Sequence, residues 1–216
     1  FFPDPQTRLI ALQKGEVDIA EIDSRNVSLL EKDTNIRVYK IPPPTRIEGV
    51  LWFNFRRWPT NQLKFRQAVA MGADWRTIAQ AVLPKGCYIP WMSLFKGSFA
   101  ENPEAEKWFP KYNPKEAKRL ISEVEKEAGK SIPPLYTLVW ENTIESNIAQ
   151  IAGNQLKQNG VNLNIQALQR NVVINIMARD PKSPWDIAIQ SAKGPGIDPN
   201  DCVRNFYSET RASGDG

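Results

Sequence analysis

The amino-acid sequence predicts an α/β fold, in which helices cover a sheet, from two periodic patterns that alternate along the chain. Residues 161–167 alternate Val, Leu, Ile and Ala with Asn, Asn and Gln, which is the pattern of a half-buried strand. From Pro114 an apolar stripe recurs at helical spacing, and Asn113 stands where a helix cap is expected. The stripe consists of Ala117, Leu120, Ile121 and Val124.

The other elements are predicted in order from the same periods and from caps and breakers. Asp4, before Pro5, and Asp74 stand at helix starts, and Gly15 and Gly160 follow helix ends. The predicted helices lie at 5–14, 24–30, 65–72, 75–82, 114–128, 144–158, 172–178 and 200–207. The predicted strands lie at 17–22, 36–41, 50–55, 135–140, 161–167 and 185–191.

Three consecutive prolines at 42–44 mark the predicted domain boundary. Proline lacks a backbone N–H and holds the chain extended, so this segment does not join a central strand. We therefore expect the chain to cross between two domains at 44–48. A second aperiodic stretch, 84–112, combines prolines with aromatic residues and predicts a long ordered loop.

The composition excludes several classes of function. The chain has 216 residues, with 28 basic and 24 acidic residues and a net charge of +4 that is not concentrated, which argues against nucleic-acid binding. It contains no histidine, which excludes histidine bases, His-activated nucleophiles and histidine metal ligands among these residues. Pro195 interrupts Gly194 and Gly196, so the sequence predicts no phosphate-binding glycine loop. No cofactor and no metal site are expected.

Two cysteines, Cys87 and Cys202, leave two alternatives open. They are either two thiols or one disulfide, and their spacing is not that of a zinc site. A disulfide that closed so long a loop would stabilise the fold by about 4–5 kcal/mol, provided that the geometry permitted it.

Loops that follow strands provide the candidate ligand-binding residues, because open α/β sheets bind ligands beyond the carboxyl ends of their strands. Trp140 and Asn142 follow one predicted strand, where an indole can line an apolar wall and an amide can donate and accept. Lys193 and Asp198 follow another strand and suit an anion and a cation, respectively. Trp91, in the long loop, is a further candidate. Core packing is the alternative role for both tryptophans, and helix capping is the alternative for the Asn and the Asp.

Four segments of the chain carry a family resemblance. The first is TRLIALQKGEVDIAEI at residues 7–22. The second starts at an aromatic strand and Asn54 and continues through Arg66-Gln67-Ala68, Asp74 and Ile78 to Gly86. The third is the run Tyr112-Asn113-Pro114, and the fourth is Trp-Asp-Ile-Ala at residues 185–188 with the later Asp198-Pro199. In this order they resemble the family 5 solute-binding proteins, which are peptide, nickel and related binding components of ABC importers. The resemblance spans essentially the whole chain.

The resemblance implies a periplasmic-binding-protein type II-like lobe with a mixed, twisted sheet flanked by helices. Residues 1–43 would be a remnant of lobe I, residues 44–48 the crossover and hinge, and residues 49–216 a C-terminally truncated lobe II. No signal peptide is visible at Phe1-Phe2-Pro3, and we expect the chain to be a fragment of a longer protein.

The implied function is capture of a small solute between two lobes and its delivery to an ABC permease, without catalysis. The implied location is periplasmic or extracytoplasmic, with membrane association through the transporter, and a monomer is expected. In peptide-binding members an acid, preceded by a Trp, holds the peptide amino terminus, and these positions correspond to Pro195 and Ala192 here. Both the acid and the Trp are thus absent from this sequence. The expected solute is peptide-like or another small polar solute, such as a modified peptide, an opine or a sugar.

Two other classes of function remain as alternatives. One is a hydrolase that uses carboxylates, which would require two Asp or Glu side chains to converge in a pocket. The other is a peptide-binding or sensor module that works without a transporter. Turnover of a solute would identify the first, and the absence of neighbouring permease and ATPase genes would favour the second.

Overall fold

The computed structural model describes residue 2 and residues 4–23, 26–39, 46–83, 102–179 and 183–193. The chain divides into two compact units. The described residues up to Tyr39, together with Leu83, belong to the first unit, and those of 46–82 and from Asn102 onward belong to the second. The helix predicted at 200–207 lies outside the described residues.

The first unit contains two helices, α1 (Pro5–Gln13) and α2 (Val27–Leu30). The predicted cap at the start of α1 is confirmed, because the backbone N–H of Thr7 donates to Asp4 Oδ1 at 2.8 Å. The strands predicted at 17–22 and 36–41 are wrong for the residues described, which have no regular structure. An extended segment becomes a strand only by pairing with a neighbour, and the described part of this unit offers none.

The second unit is built on a four-stranded mixed sheet. The strands are β1 (Arg46–Phe53), β2 (Leu135–Trp140), β3 (Leu163–Leu168) and β4 (Ile187–Lys193), in the order β1-β4-β2-β3. Strands β2, β3 and β4 are parallel, and β1 runs antiparallel to β4. The carboxyl ends of three strands therefore lie at one edge of the sheet. Strand β1 begins inside the segment 44–48, where the crossover is predicted.

Most helices of this unit cover one face of the sheet. The helices are α3 (Leu63–Gly72), α4 (Trp75–Val82), the short α5 (Ala105–Trp108) within the predicted loop, α6 (Pro114–Ala128) and α7 (Ile144–Gln158). The predicted stripe of α6 is buried as expected, and the backbone N–H of Glu116 donates to Asn113 Oδ1 at 3.1 Å. Asp74 caps α4 by accepting from the N–H of Thr77 at 3.1 Å. This face holds the larger core, to which α3, α4, α6 and α7 contribute with β2 and β4.

Helix α8 (Arg170–Arg179) covers the opposite face of the sheet and begins two residues before the predicted start at 172. Its Val173 is fully buried in a second core cluster with Leu138 and Trp140 of β2 and Ala188 of β4. The connection from β2 to β3 thus crosses one face through α7, and the connection from β3 to β4 crosses the other through α8.

A polar network closes the edge of the sheet opposite the carboxyl ends. Asn54, which follows β1, donates from Nδ2 to the carbonyl of Trp185 at 2.9 Å. Thr60 is completely buried and donates from Oγ1 to the carbonyl of Asn54 at 2.6 Å. Arg57 Nε lies 2.7 Å from Asp186 Oδ1. The segment that carries part of the family resemblance therefore ties β1 to the start of β4.

Candidate ligand-binding site

The loops after β2 and β3 leave the carboxyl edge of the sheet towards opposite faces. The loop after β2 leads to α7 on one face, and the loop after β3 leads to α8 on the other. Neighbouring strands whose connections leave in opposite directions are where α/β sheets form a ligand-binding crevice, so the topology points to a candidate crevice between the ends of β2 and β3. The backbone N–H of Glu141 donates to the carbonyl of Leu168 at 2.9 Å and holds the two strand ends together.

Trp140 is the last residue of β2 and is 9% exposed. Its side chain packs in the cluster that includes Leu138, Val173 and Ala188, so it does contribute to the core. Its indole Nε1 is buried and has no hydrogen-bond partner in the part of the chain that the structure describes. A buried indole N–H normally finds a partner, so the core-packing role alone does not explain this side chain.

The residues after Trp140 form a tight turn into α7. Asn142 is exposed and has a φ of 56°, in the left-handed region that Asn tolerates better than most residues. Thr143 occupies the N-cap position of α7 without a side-chain cap bond, and its Oγ1 donates instead to the carbonyl of Trp140 at 2.8 Å. The Asn142 side chain makes no hydrogen bond to any described residue, and the turn places this residue at the crevice.

Arg170 is a further candidate residue, which the sequence alone does not single out. It is the first residue of α8, is exposed, and its guanidinium carbon lies 4.9 Å from the centroid of the Trp140 ring. The guanidinium has no hydrogen-bond or ion-pair partner among the residues described. Ligands bind beyond the carboxyl ends of strands, and this holds after β3 as well as after β2. The sequence predicts the helix after β3 to start at Val172, so it does not mark Arg170 as a helix start at this edge.

Lys193 is the last residue of β4, at the same edge of the sheet. Val139 pairs with Ile189, so continuing the register places Gln190 beside Trp140 and the backbone of Lys193 three residues beyond it. The structure thus brings Trp140, Asn142 and the Lys193 backbone to one edge. The other candidates, Trp91 and Asp198, and the cysteines Cys87 and Cys202 lie outside the described residues.

The described part of the chain contains no group of three or more Cys, Asp or Glu side chains placed to hold a metal ion. None of the described helices combines the length and the apolar character that crossing a membrane requires.

Comparison with known proteins identifies the family. Residues 1–214 match the family model "Bacterial extracellular solute-binding proteins, family 5 Middle". A curated relative from Sinorhizobium fredii, "Probable peptide ABC transporter periplasmic-binding protein y4tO", is 32% identical over 165 residues, which are 74% of this chain and 30% of the relative. The chain therefore spans less than a third of that relative.

Solved structures show the same fold. The ABC transporter substrate-binding protein CtaP from Listeria monocytogenes superposes with a TM-score of 0.77 at 22% identity, over 96% of this chain and 41% of CtaP. The substrate-binding domain of an oligopeptide ABC transporter from Bacillus anthracis gives 0.73 at 18% identity, over 97% and 42%. NikZ from Campylobacter jejuni, solved in complex with Ni(L-His), gives 0.68 at 18% identity, over 98% and 42%.

These findings confirm both the predicted resemblance and the predicted fold class. The mixed sheet with flanking helices is that of a periplasmic-binding-protein type II lobe. The chain belongs to the bacterial extracellular solute-binding proteins of family 5.

Proposed function

We propose that this chain is part of the solute-binding component of an ABC importer, and that it contacts a peptide-like or other small polar solute at the crevice between β2 and β3. The observation that carries the proposal is the carboxyl edge itself. The backbone places three residues at this edge, all within the described residues: Trp140 with an unused indole N–H, Asn142 with an exposed side chain and Arg170 with an unpaired guanidinium. Aromatic walls with a few polar groups are typical of small-molecule sites.

The solute is captured between two lobes that close on it. We assign residues 1–43 to lobe I, 44–48 to the crossover and hinge, and 49–216 to lobe II. The division of the described residues supports the assignment for residues up to Tyr39 and from Arg46 onward, except that Leu83 belongs to the first unit. Contacts from both lobes favour the closed state by their differential affinity for it.

The protein acts by binding and delivery, and no bond of the solute is broken. Its partner is a membrane permease, and its place of action is the periplasm or the outer side of the membrane. The printed name of the Sinorhizobium fredii relative, a periplasmic-binding protein of a peptide ABC transporter, supports both statements. The protein binds its solute as a monomer.

Calorimetric titration tests the proposal. The full-length gene product and residues 1–216 are titrated with tripeptide pools, opines and sugars, and the solutions are analysed for turnover. We expect the full-length product to bind one class with micromolar affinity, and residues 1–216 to bind at least about 100-fold more weakly because part of the site is missing.

A matched pair of variants locates the site. Asn142→Ala removes an exposed amide at the crevice, and we expect it to weaken binding about 10-fold or more. Asn162→Ala removes an exposed amide just before β3, at the opposite edge of the sheet, and should have no effect. Equal effects of both variants, equally tight binding by residues 1–216, or conversion of a solute would contradict the proposal.

A further inference from the structure

Arg170 and Trp140 form a cation–π pair, here called the Arg–Trp platform, that suits an anion. The guanidinium carbon lies 4.9 Å from the centroid of the indole ring. The N–H donors of a guanidinium form a fork that matches a carboxylate. None of these donors has a partner among the described residues, so the fork is available to a ligand.

The platform is anchored by Trp140, which is buried, whereas Arg170 lies at the surface. Trp140 is 9% exposed and is held between β4 and α8, whereas Arg170 is exposed to solvent. A buried ring does not move when a ligand arrives, and a side chain already ordered against it loses little freedom on binding. No carboxylate among the described residues neutralises the guanidinium.

The surrounding backbone favours negative charge. Arg170 is the first residue of the ten-residue helix α8, whose first turn has no acidic residue. The first turn of α7, which follows β2 at the same edge, already contains the acidic residue Glu145, so α8 is the helix that supports an anion here. Helix N-termini carry partial positive charge and free N–H groups. The buried Nε1 of Trp140, unpartnered within the described chain, is a separate donor at this place.

We propose that the Arg–Trp platform binds a carboxylate of the solute and that Arg170 selects for this group. The proposal rests on the proposed function and narrows the solute class to molecules with a free carboxylate.

Paired peptide libraries test the inference on the full-length protein. One pool contains tripeptides with free C-terminal carboxylates, and the other contains the same tripeptides as C-terminal amides. We expect the acid pool to bind about 10- to 100-fold more tightly, as for hydrogen bonds to a charged group. Arg170→Gln should abolish this difference by lowering the affinity for the acid pool to that for the amide pool.

Two further variants separate charge from geometry. Arg170→Lys keeps the charge and loses the planar fork, and should retain only part of the preference. Lys118→Gln, which removes an exposed charge on α6, should change nothing. Unchanged unfolding midpoints show that each variant is folded.

The outcomes distinguish this inference from the function on which it rests. Binding of both pools with equal affinity, or a preference that survives in Arg170→Gln, would refute the carboxylate site and leave solute binding intact. Failure of either pool, and of every other solute tested, to bind would refute the proposed function and the inference together.

Discussion

The carboxylate of Asp186 joins three parts of the second unit, and its removal tests how that unit is held together. Asp186 is 5% exposed and immediately precedes β4. Its Oδ1 accepts a hydrogen bond from Arg57 Nε at 2.7 Å, and its Oδ2 accepts one from the backbone N–H of Tyr136 at 2.8 Å. The loop after β1 and the second residue of β2 are thereby fixed to the start of β4.

We expect Asp186→Asn to lower the free energy of unfolding by about 2–3 kcal/mol. A hydrogen bond to a charged group contributes about 1.5–3 kcal/mol. The Arg57 side chain is 40% exposed, so solvent screening reduces its share to less than about 1 kcal/mol. The bond from Tyr136 supplies the larger share. Asparagine has only one acceptor oxygen, so one of the two donors must face its amide nitrogen.

Urea unfolding, followed by tryptophan fluorescence, measures the loss. The matched control is Glu104→Gln, which breaks the pair between Glu104 and Lys107. That pair is as short, at 2.6 Å, but its side chains are 57% and 69% exposed. Exposed pairs contribute little, so the control should lie close to the unchanged protein.

The ion pairs of Asp186 and Glu104 have similar lengths but differ in burial, so the two variants test whether burial sets the strength of the contacts. Similar losses in Asp186→Asn and Glu104→Gln would show that shielding from water does not set the strength of the Asp186 contacts. A loss below about 0.5 kcal/mol in Asp186→Asn would mean that the loop after β1 and the strand β2 are held by other contacts.

Two further predictions concern a close approach and a surface carboxylate. A Cβ at Gly72 would lie 2.9 Å from Leu156 Cδ2, so Gly72→Ala should destabilise the protein by about 1–3 kcal/mol. A Cβ at Gly153 would meet nothing nearer than 3.5 Å, so Gly153→Ala should stabilise α7 by about 0.5–1 kcal/mol. Thermal unfolding of both variants checks that the two effects have opposite signs. Hydrogen bonds from Arg119 lower the pKa of Glu116 below its ordinary value of 4.5, so its contribution to stability is present above that value and is lost as the pH falls through the lowered pKa. NMR titration should show the Glu116 pKa rising in Arg119→Gln, and an unchanged pKa would contradict the assignment of its cause.

The helices could be predicted from the sequence because their signals are local. The caps at Asn113 and Asp74 and the buried stripe of α6 occur where the sequence indicates them. The predicted strands at 17–22 and 36–41 are wrong because pairing is not a local property. Ile19, in the first of them, is 92% exposed, although its apolar neighbours suggested burial. Alternation predicts a strand only where a partner strand is present.

The candidate site was predicted only in part, for a related reason. The rule for strand ends selects Trp140, Asn142 and Lys193 from strand predictions alone. The position of Arg170 beside Trp140 could not be predicted, because it requires two features of the folded chain. Strand β3 lies beside β2, and α8 covers the face of the sheet on which Trp140 packs. A polar residue between a strand and a helix carries no periodic signal, so the cation–π contact of Arg170 with Trp140 is found only in the folded chain.

One of the four segments that resemble the family lies at the edge of the sheet opposite the proposed solute contacts. In this segment Asn54 donates to the carbonyl of Trp185, before β4, and Thr60 donates to the carbonyl of Asn54. Trp140 and Arg170 lie at the carboxyl edge. The residues that tie β1 to the start of β4 are therefore different from the proposed solute contacts. Asp186→Asn should lower stability without changing solute preference, because its contacts reach the carboxyl edge only through the rigid length of β2 and β4.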